Sequence, residues 1–142
     1  MFVNSELKRS IILEHYQHPK NKGLIDDNSY YKVNMNNESC IDEIDLIMKI
    51  EDGIIRDIRF DGEACAISTS STSIMIDTLI GKSISDARVI IENYYNMIEE
   101  KKYDSEILEQ AIVYDDIYLQ PNRKKCALIS WMAADKILKE LK

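Results

Sequence analysis

Four residues of this 142-residue chain have types and positions that could do chemistry: Cys40, Asp42, Cys65 and Cys126. Cys40 and Asp42 stand two positions apart in the polar, turn-like run MNNESCID (35–42). A cysteine without a chemical role is usually a small buried apolar residue, so a loop of Asn, Glu and Ser is an unexpected place for one. The chain has three cysteines, an odd number that cannot all pair. In a reducing compartment separated cysteines lean towards metal or thiol chemistry. Three thiolates and a carboxylate make four ligands, the number a closed tetrahedral Zn²⁺ site takes. No CxxC pair is present. Composition and placement therefore leave two readings open, one shared site or three unrelated cysteines.

The elements that must position these residues follow from the apolar patterns. Residues 4–19 predict a helix capped by Ser5, with Leu7, Ile11, Leu13 and Tyr16 as its stripe and Pro19 as its stop. Residues 30–35, 43–51 and 54–60 predict three strands of an antiparallel sheet with one buried face. Ile44, Leu46, Met48 and Ile50 share a face of the second, and Asp52-Gly53 marks a hairpin turn. In the third, Ile54, Arg56, Ile58 and Phe60 face one way and Ile55, Asp57 and Arg59 the other. Past Cys65 a Ser/Thr-rich stretch predicts a helix ended by Gly81, with small side chains suited to close packing. Residues 83–102 predict a helix capped by Ser83 or Ser85, and 105–121 a short helix and loop. Residues 122–142 predict a last helix with the stripe Ala127, Trp131, Ala134, Leu138 and Leu141.

The order predicts one α+β domain over residues 1–142, a small antiparallel three-stranded sheet with helices packed on one face. The cysteines then fall at element ends. Cys40 lies in the loop between the first two strands, and Cys65 and Cys126 lie at helix starts, where the positive end of the helix dipole lowers a thiol pKa. The formal net charge of −7 argues against nucleic-acid backbone binding. Charges interrupt the apolar residues of the first segment, unlike a signal peptide, and no apolar run approaches a membrane span. The expected location is the cytoplasm. A hydrolytic role is disfavoured, since no paired acids or nucleophile–histidine set is evident.

Four segments carry a resemblance: EHYQHPKNKG (14–23), MNNESCID (35–42), FDGEACAIS (60–68) and RKKCALISW (123–131). In this order they resemble the motifs of the SufU-type iron–sulfur cluster assembly proteins, of the IscU/NifU N-terminal superfamily. The long interval from Cys65 to Cys126 resembles SufU rather than IscU, as does Lys125 where IscU proteins place a histidine. The chaperone-binding Leu-Pro-Pro-Val-Lys segment of IscU is replaced by YLQPNRKK (118–125). Ile41 and Ala64 stand where the family usually has glycine, and Glu38-Ser39 where it often has Pro-Thr.

The resemblance implies a SufE/IscU-like fold and a zinc-dependent sulfurtransferase that accepts persulfide sulfur from a SufS-type cysteine desulfurase for iron–sulfur cluster assembly. It implies Zn²⁺ held by Cys40, Asp42, Cys65 and Cys126, with Cys40 as the acceptor thiol, freed when a desulfurase histidine takes its place on the metal. The SufBCD scaffold complex is a candidate downstream recipient. Whether such a chain is an enzyme in its own right is left open. The alternative is an IscU-like scaffold on which a [2Fe–2S] cluster is assembled, since thiolates and a carboxylate suit that group too. A third reading is an interaction module with a purely structural zinc. His15 and His18 are expected to be structural, Trp131, Tyr94 and Tyr95 to be core, and Arg123 to face the site or the desulfurase.

Overall fold

Apolar alternation builds the sheet. The computed structural model describes residues 4–36 and 42–141. Within them, strands β1 (Tyr31–Asn36), β2 (Glu43–Glu51) and β3 (Ile54–Glu63) pair antiparallel in the order β1-β2-β3. Val33, Ile44, Leu46, Met48, Ile58 and Phe60 are buried. The β2–β3 hairpin turns at Asp52 (φ 55°) and Gly53 (φ 72°). Two successive left-handed residues give the twist that a tight hairpin needs.

The simple alternation predicted for β3 fails at one point. Lys49 pairs with Asp57 but Ile50 pairs with Ile55, so Arg56 has no partner across the ladder. This bulge flips the side-chain parity. Ile55 is therefore fully buried and Arg56 exposed, while Ile54 is only partly covered. The outer edge of β3 is closed by two segments rather than by a strand. Gly23 N–H donates to the Phe60 carbonyl at 2.7 Å, and Ile55 N–H to the Lys82 carbonyl at 2.9 Å. Covering an edge in this way removes a template for aggregation.

Four α-helices complete the domain: α1 (Ser5–Gln17), α2 (Ala66–Leu79), α3 (Ile84–Ile98) and α4 (Pro121–Glu140). Between α3 and α4 run two 3₁₀ segments, Glu106–Tyr114 and Ile117–Leu119. Helix α4 packs on β1 and β2, and α2 on β3, α1 and α4. Asn4, not Ser5, caps α1: its side chain accepts from Leu7 N–H at 2.8 Å. The face of α1 also differs from the predicted stripe. Leu7, Leu13 and Tyr16 are exposed, and the covered positions are Lys8, Ile11, Ile12 and His15. Lys8 forms an ion pair with Asp115, and His15 bridges Ser73 at 2.7 Å and Gln110 at 2.8 Å. Polar anchors thus hold this helix, so a count of apolar residues mislocates its inner face.

Helix α2 is the centre of the molecule, and residues 68–76 are all buried. A buried hydroxyl must be hydrogen-bonded to avoid a penalty of about 1–3 kcal/mol, and each of the six from Ser68 to Ser73 has a partner. Thr69 Oγ1 reaches the Ala64 carbonyl and Thr72 Oγ1 donates to the Ser68 carbonyl at 2.7 Å. Ser70 meets the Tyr114 hydroxyl, and Ser71 donates to the Ala127 carbonyl at 2.8 Å. Ser73 accepts from Lys20 N–H at 2.8 Å. Small hydroxyl side chains here permit close helix packing while satisfying themselves. Among the described residues no helix is long and apolar enough to cross a membrane.

Candidate metal centre

The β2–β3 register brings the first two described candidates together. Glu43 opposite Glu63 puts Asp42, just before β2, and Cys65, just after β3, at one end of the sheet. Gly62 makes this close approach possible. Its φ is +129°, and a Cβ there would stand 2.1 Å from the Glu43 carbonyl oxygen. A Gly62→Ala variant should lose on the order of 2–3 kcal/mol from forced backbone strain, read as a lower denaturant midpoint. A midpoint equal to wild type would contradict this tight crossing.

Cys65 is the N-cap of α2, as its expected place at a helix start requires. Its Sγ accepts from Ser68 N–H at 3.4 Å, and its own N–H donates to Asp42 Oδ1 at 2.7 Å. Asp42 is buried at 1% exposure. It lies at the positive end of the α2 dipole, where a carboxylate is favoured. The Ser68 hydroxyl donates to Asp42 Oδ2.

Cys126 comes from α4 and is also buried. The expectation that it begins a helix is corrected: α4 starts at Pro121, so Cys126 is in its second turn. Proline at the first helical position is preorganised for the helix, which moves the start upstream. The dipole fades within the first turn, so another influence sets this thiol. Burial, then the hydrogen bond and charge of Cys65 and the Asp42 carboxylate, push the Cys126 thiol up to about 12. With these groups alone it is a neutral thiol at pH 7, and a nearby cation is what would turn it into a thiolate.

Asp42, Cys65 and Cys126 each offer one ligand atom, and the three atoms lie within 4.8 Å of one another. Tetrahedral Zn²⁺ with sulfur ligands at about 2.3 Å places its donors roughly 3.5–4 Å apart, so small side-chain movements suffice. Two sulfurs and one oxygen, from the buried Asp42 and Cys126 and the partly exposed Cys65, fit a thiolate-preferring ion of this kind. The fourth predicted residue, Cys40, lies outside the described residues, as does Ile41. Ala64 is not among the described residues with positive φ, so glycine is not required there. Arg123 is exposed in the first turn of α4, and Lys124 pairs with Glu99 at 3.4 Å. An open apolar groove of about 680 Å³, lined by Met35, Tyr95, Leu128 and Met132, contains none of the three ligands.

Sequence reasoning missed Ser68, which it grouped with the small packing residues of α2. The available signal was spacing: Ser68 stands three residues after the Cys65 cap, where a polar side chain can reach back over a helix start.

A sheet hairpin and two helices deliver a carboxylate and two thiols to one place, a set of ligand atoms that could hold a metal ion. Residues 7–128 match the NifU-like N terminal domain, and the chain belongs to that family. It is similar to the zinc-dependent sulfurtransferase SufU of Bacillus subtilis (strain 168), with 38% identity over 92% of this chain and 88% of that protein. It is also similar to the iron–sulfur cluster assembly scaffold protein IscU of Thermotoga maritima, with 32% identity over 92% of this chain and 91% of that one. Among solved structures, a Fervidobacterium islandicum AW-1 protein assigned as an iron–sulfur cluster assembly scaffold of the SUF system superposes with a TM-score of 0.86. That match has 33% identity and covers 90% of this chain and 93% of the other.

Proposed function

We propose that this chain is a zinc-dependent sulfur acceptor, taking persulfide sulfur from a SufS-type cysteine desulfurase for iron–sulfur cluster assembly. The observation that carries the reading is the convergence of Asp42, Cys65 and Cys126 within 4.8 Å. The similarity to a zinc-dependent sulfurtransferase supports it. Cys40, two positions before Asp42 in sequence, completes the ligand set and is the acceptor.

Bound Zn²⁺ would supply a charge that keeps its cysteine ligands as thiolates at neutral pH. Asp42 and Cys126, both buried, and the partly exposed Cys65 supply the other three ligands. The Cys40 thiolate attacks the outer sulfur of the desulfurase persulfide. A new S–S bond forms at Cys40, the S–S bond within the partner breaks, and the partner's cysteine leaves as a thiolate. The exchange conserves electrons and needs no added oxidant or reductant. The SufBCD complex is the proposed recipient of the sulfur.

The test mixes the chain with a purified SufS-type desulfurase and cysteine, and follows sulfide release with and without prior chelation. The zinc-loaded chain should stimulate turnover, and the chelated chain should not, while keeping its helical circular dichroism. Unfolding on chelation would point to a structural zinc, and no stimulation by the loaded chain would refute the acceptor role. The second reading, a scaffold for a [2Fe–2S] cluster, is favoured by the similarity to the Thermotoga maritima IscU and predicts iron and sulfide at the same residues.

A further inference from the structure

We propose that Ser68 is a positioning residue of this centre, whose hydroxyl holds the Asp42 carboxylate in its metal-binding orientation. The inference rests on the zinc reading above. Ser68 is fully buried and touches two of the three described ligands. Its hydroxyl donates to Asp42 Oδ2 and stands 3.5 Å from Cys65 Sγ, and its N–H donates to that same sulfur. Cys65 N–H holds the other carboxylate oxygen, Oδ1, at 2.7 Å. Two donors from one helix turn thus fix both the position and the twist of the carboxylate. Removing the hydroxyl deletes its hydrogen bond to Oδ2 and leaves the Cys65 N–H bond to Oδ1, and the terminal torsion of Asp is broad enough for the carboxylate to change its twist.

The neighbouring hydroxyls of α2 are committed elsewhere. Thr69, Ser70, Ser71, Thr72 and Ser73 bond to backbone carbonyls, to Tyr114, or to groups from α1 and the segment after it. Ser68 is the member of this run directed at a candidate ligand. A hydroxyl also suits the task chemically. It donates one hydrogen bond without neutralising the carboxylate, whereas Lys or Arg would cancel the charge that attracts the cation. Partners of this kind behind a metal ligand typically change metal affinity by roughly 10–100-fold.

The test measures Zn²⁺ affinity by competition with a chromophoric chelator, for wild type, Ser68→Ala, Ser68→Thr, Asp42→Ala and the Asp42→Ala/Ser68→Ala pair. Visible spectra of the Co²⁺-loaded forms and unfolding midpoints of the metal-free forms accompany it. Ser68→Ala should weaken Zn²⁺ binding by roughly 10–100-fold and alter the Co²⁺ bands with the metal-free fold intact. Ser68→Thr, which keeps the hydroxyl, should recover most of the loss. In the Asp42→Ala background the Ser68→Ala change should have no further effect. Wild-type affinity in Ser68→Ala, or an equal loss with Asp42 already removed, would overturn the inference while leaving the zinc reading standing. A wild-type chain that binds no Zn²⁺ would remove both.

Discussion

A Trp131→Ala variant should lose about 3–5 kcal/mol of folding free energy, the usual cost of emptying a large buried aromatic site. Trp131 is fully buried in α4. Its ring stacks on Tyr94 of α3, with centroids 3.8 Å apart and planes within 6°. Its indole N–H donates to Ser71 Oγ of α2 at 3.1 Å, and the Tyr94 hydroxyl donates to the Ala127 carbonyl of α4 at 2.8 Å. One side chain therefore joins three helices. At this chain length the loss corresponds to a fall of roughly 10–20 °C in unfolding temperature. The measurement belongs in chelator, so that metal binding does not add its own stabilisation. Trp131→Phe, which keeps an aromatic face but removes the N–H, should lose less. A loss under about 1 kcal/mol for Trp131→Ala would contradict this helix junction.

The second large effect is functional. A Cys40→Ala variant should accept no sulfur above background from the desulfurase, because no other cysteine combines a loop position in the sequence with an adjacent ligand. Cys65 is the N-cap of α2, and Cys126 is buried in α4. Mass spectrometry of the chain after reaction with desulfurase and cysteine reads this directly as a gain of one sulfur atom. The wild type should show the added sulfur on the peptide holding Cys40. Persulfide on Cys65 or Cys126 in the variant, at wild-type yield, would reassign the acceptor.

The parts of the fold that were legible in the sequence are those set by neighbours along the chain. The β2–β3 hairpin could be read from alternation and from Asp52-Gly53, because a two-residue turn needs left-handed backbone at both positions. The cap of α3 was legible, for the same local reason, as Ser83 or Ser85, and Ser83 is the one that accepts from Asp86 N–H, at 3.1 Å. The bulge at Arg56 was not, because it exists only in the register between two strands. The inner face of α1 was hidden because Lys8 and His15 make its contacts with Asp115, Ser73 and Gln110, residues distant in sequence. The central burial of α2 was unreadable from hydropathy, since its serines and threonines are satisfied by groups across the whole chain.

The site divides in the same way. Cys40 and Asp42 were paired by their two-residue spacing, whereas the meeting of Asp42 with Cys65 depends on the register that sets Glu43 opposite Glu63, beyond the predicted end of the third strand at residue 60. Cys126 arrives from a helix far along the chain: residue type and placement made it a candidate, and the resemblance chose the shared site over three unrelated cysteines. The hydroxyl of Ser68 was missed because its partner lies 26 residues away.

The most direct test of the account is the metal and sulfide content of the purified chain, taken with its visible absorption. A zinc-dependent sulfur acceptor should hold one Zn²⁺ per chain, with no acid-labile sulfide and no colour. Iron with sulfide and a brown chromophore would contradict it in favour of a cluster scaffold, and anaerobically purified protein holding neither metal would contradict the shared site itself.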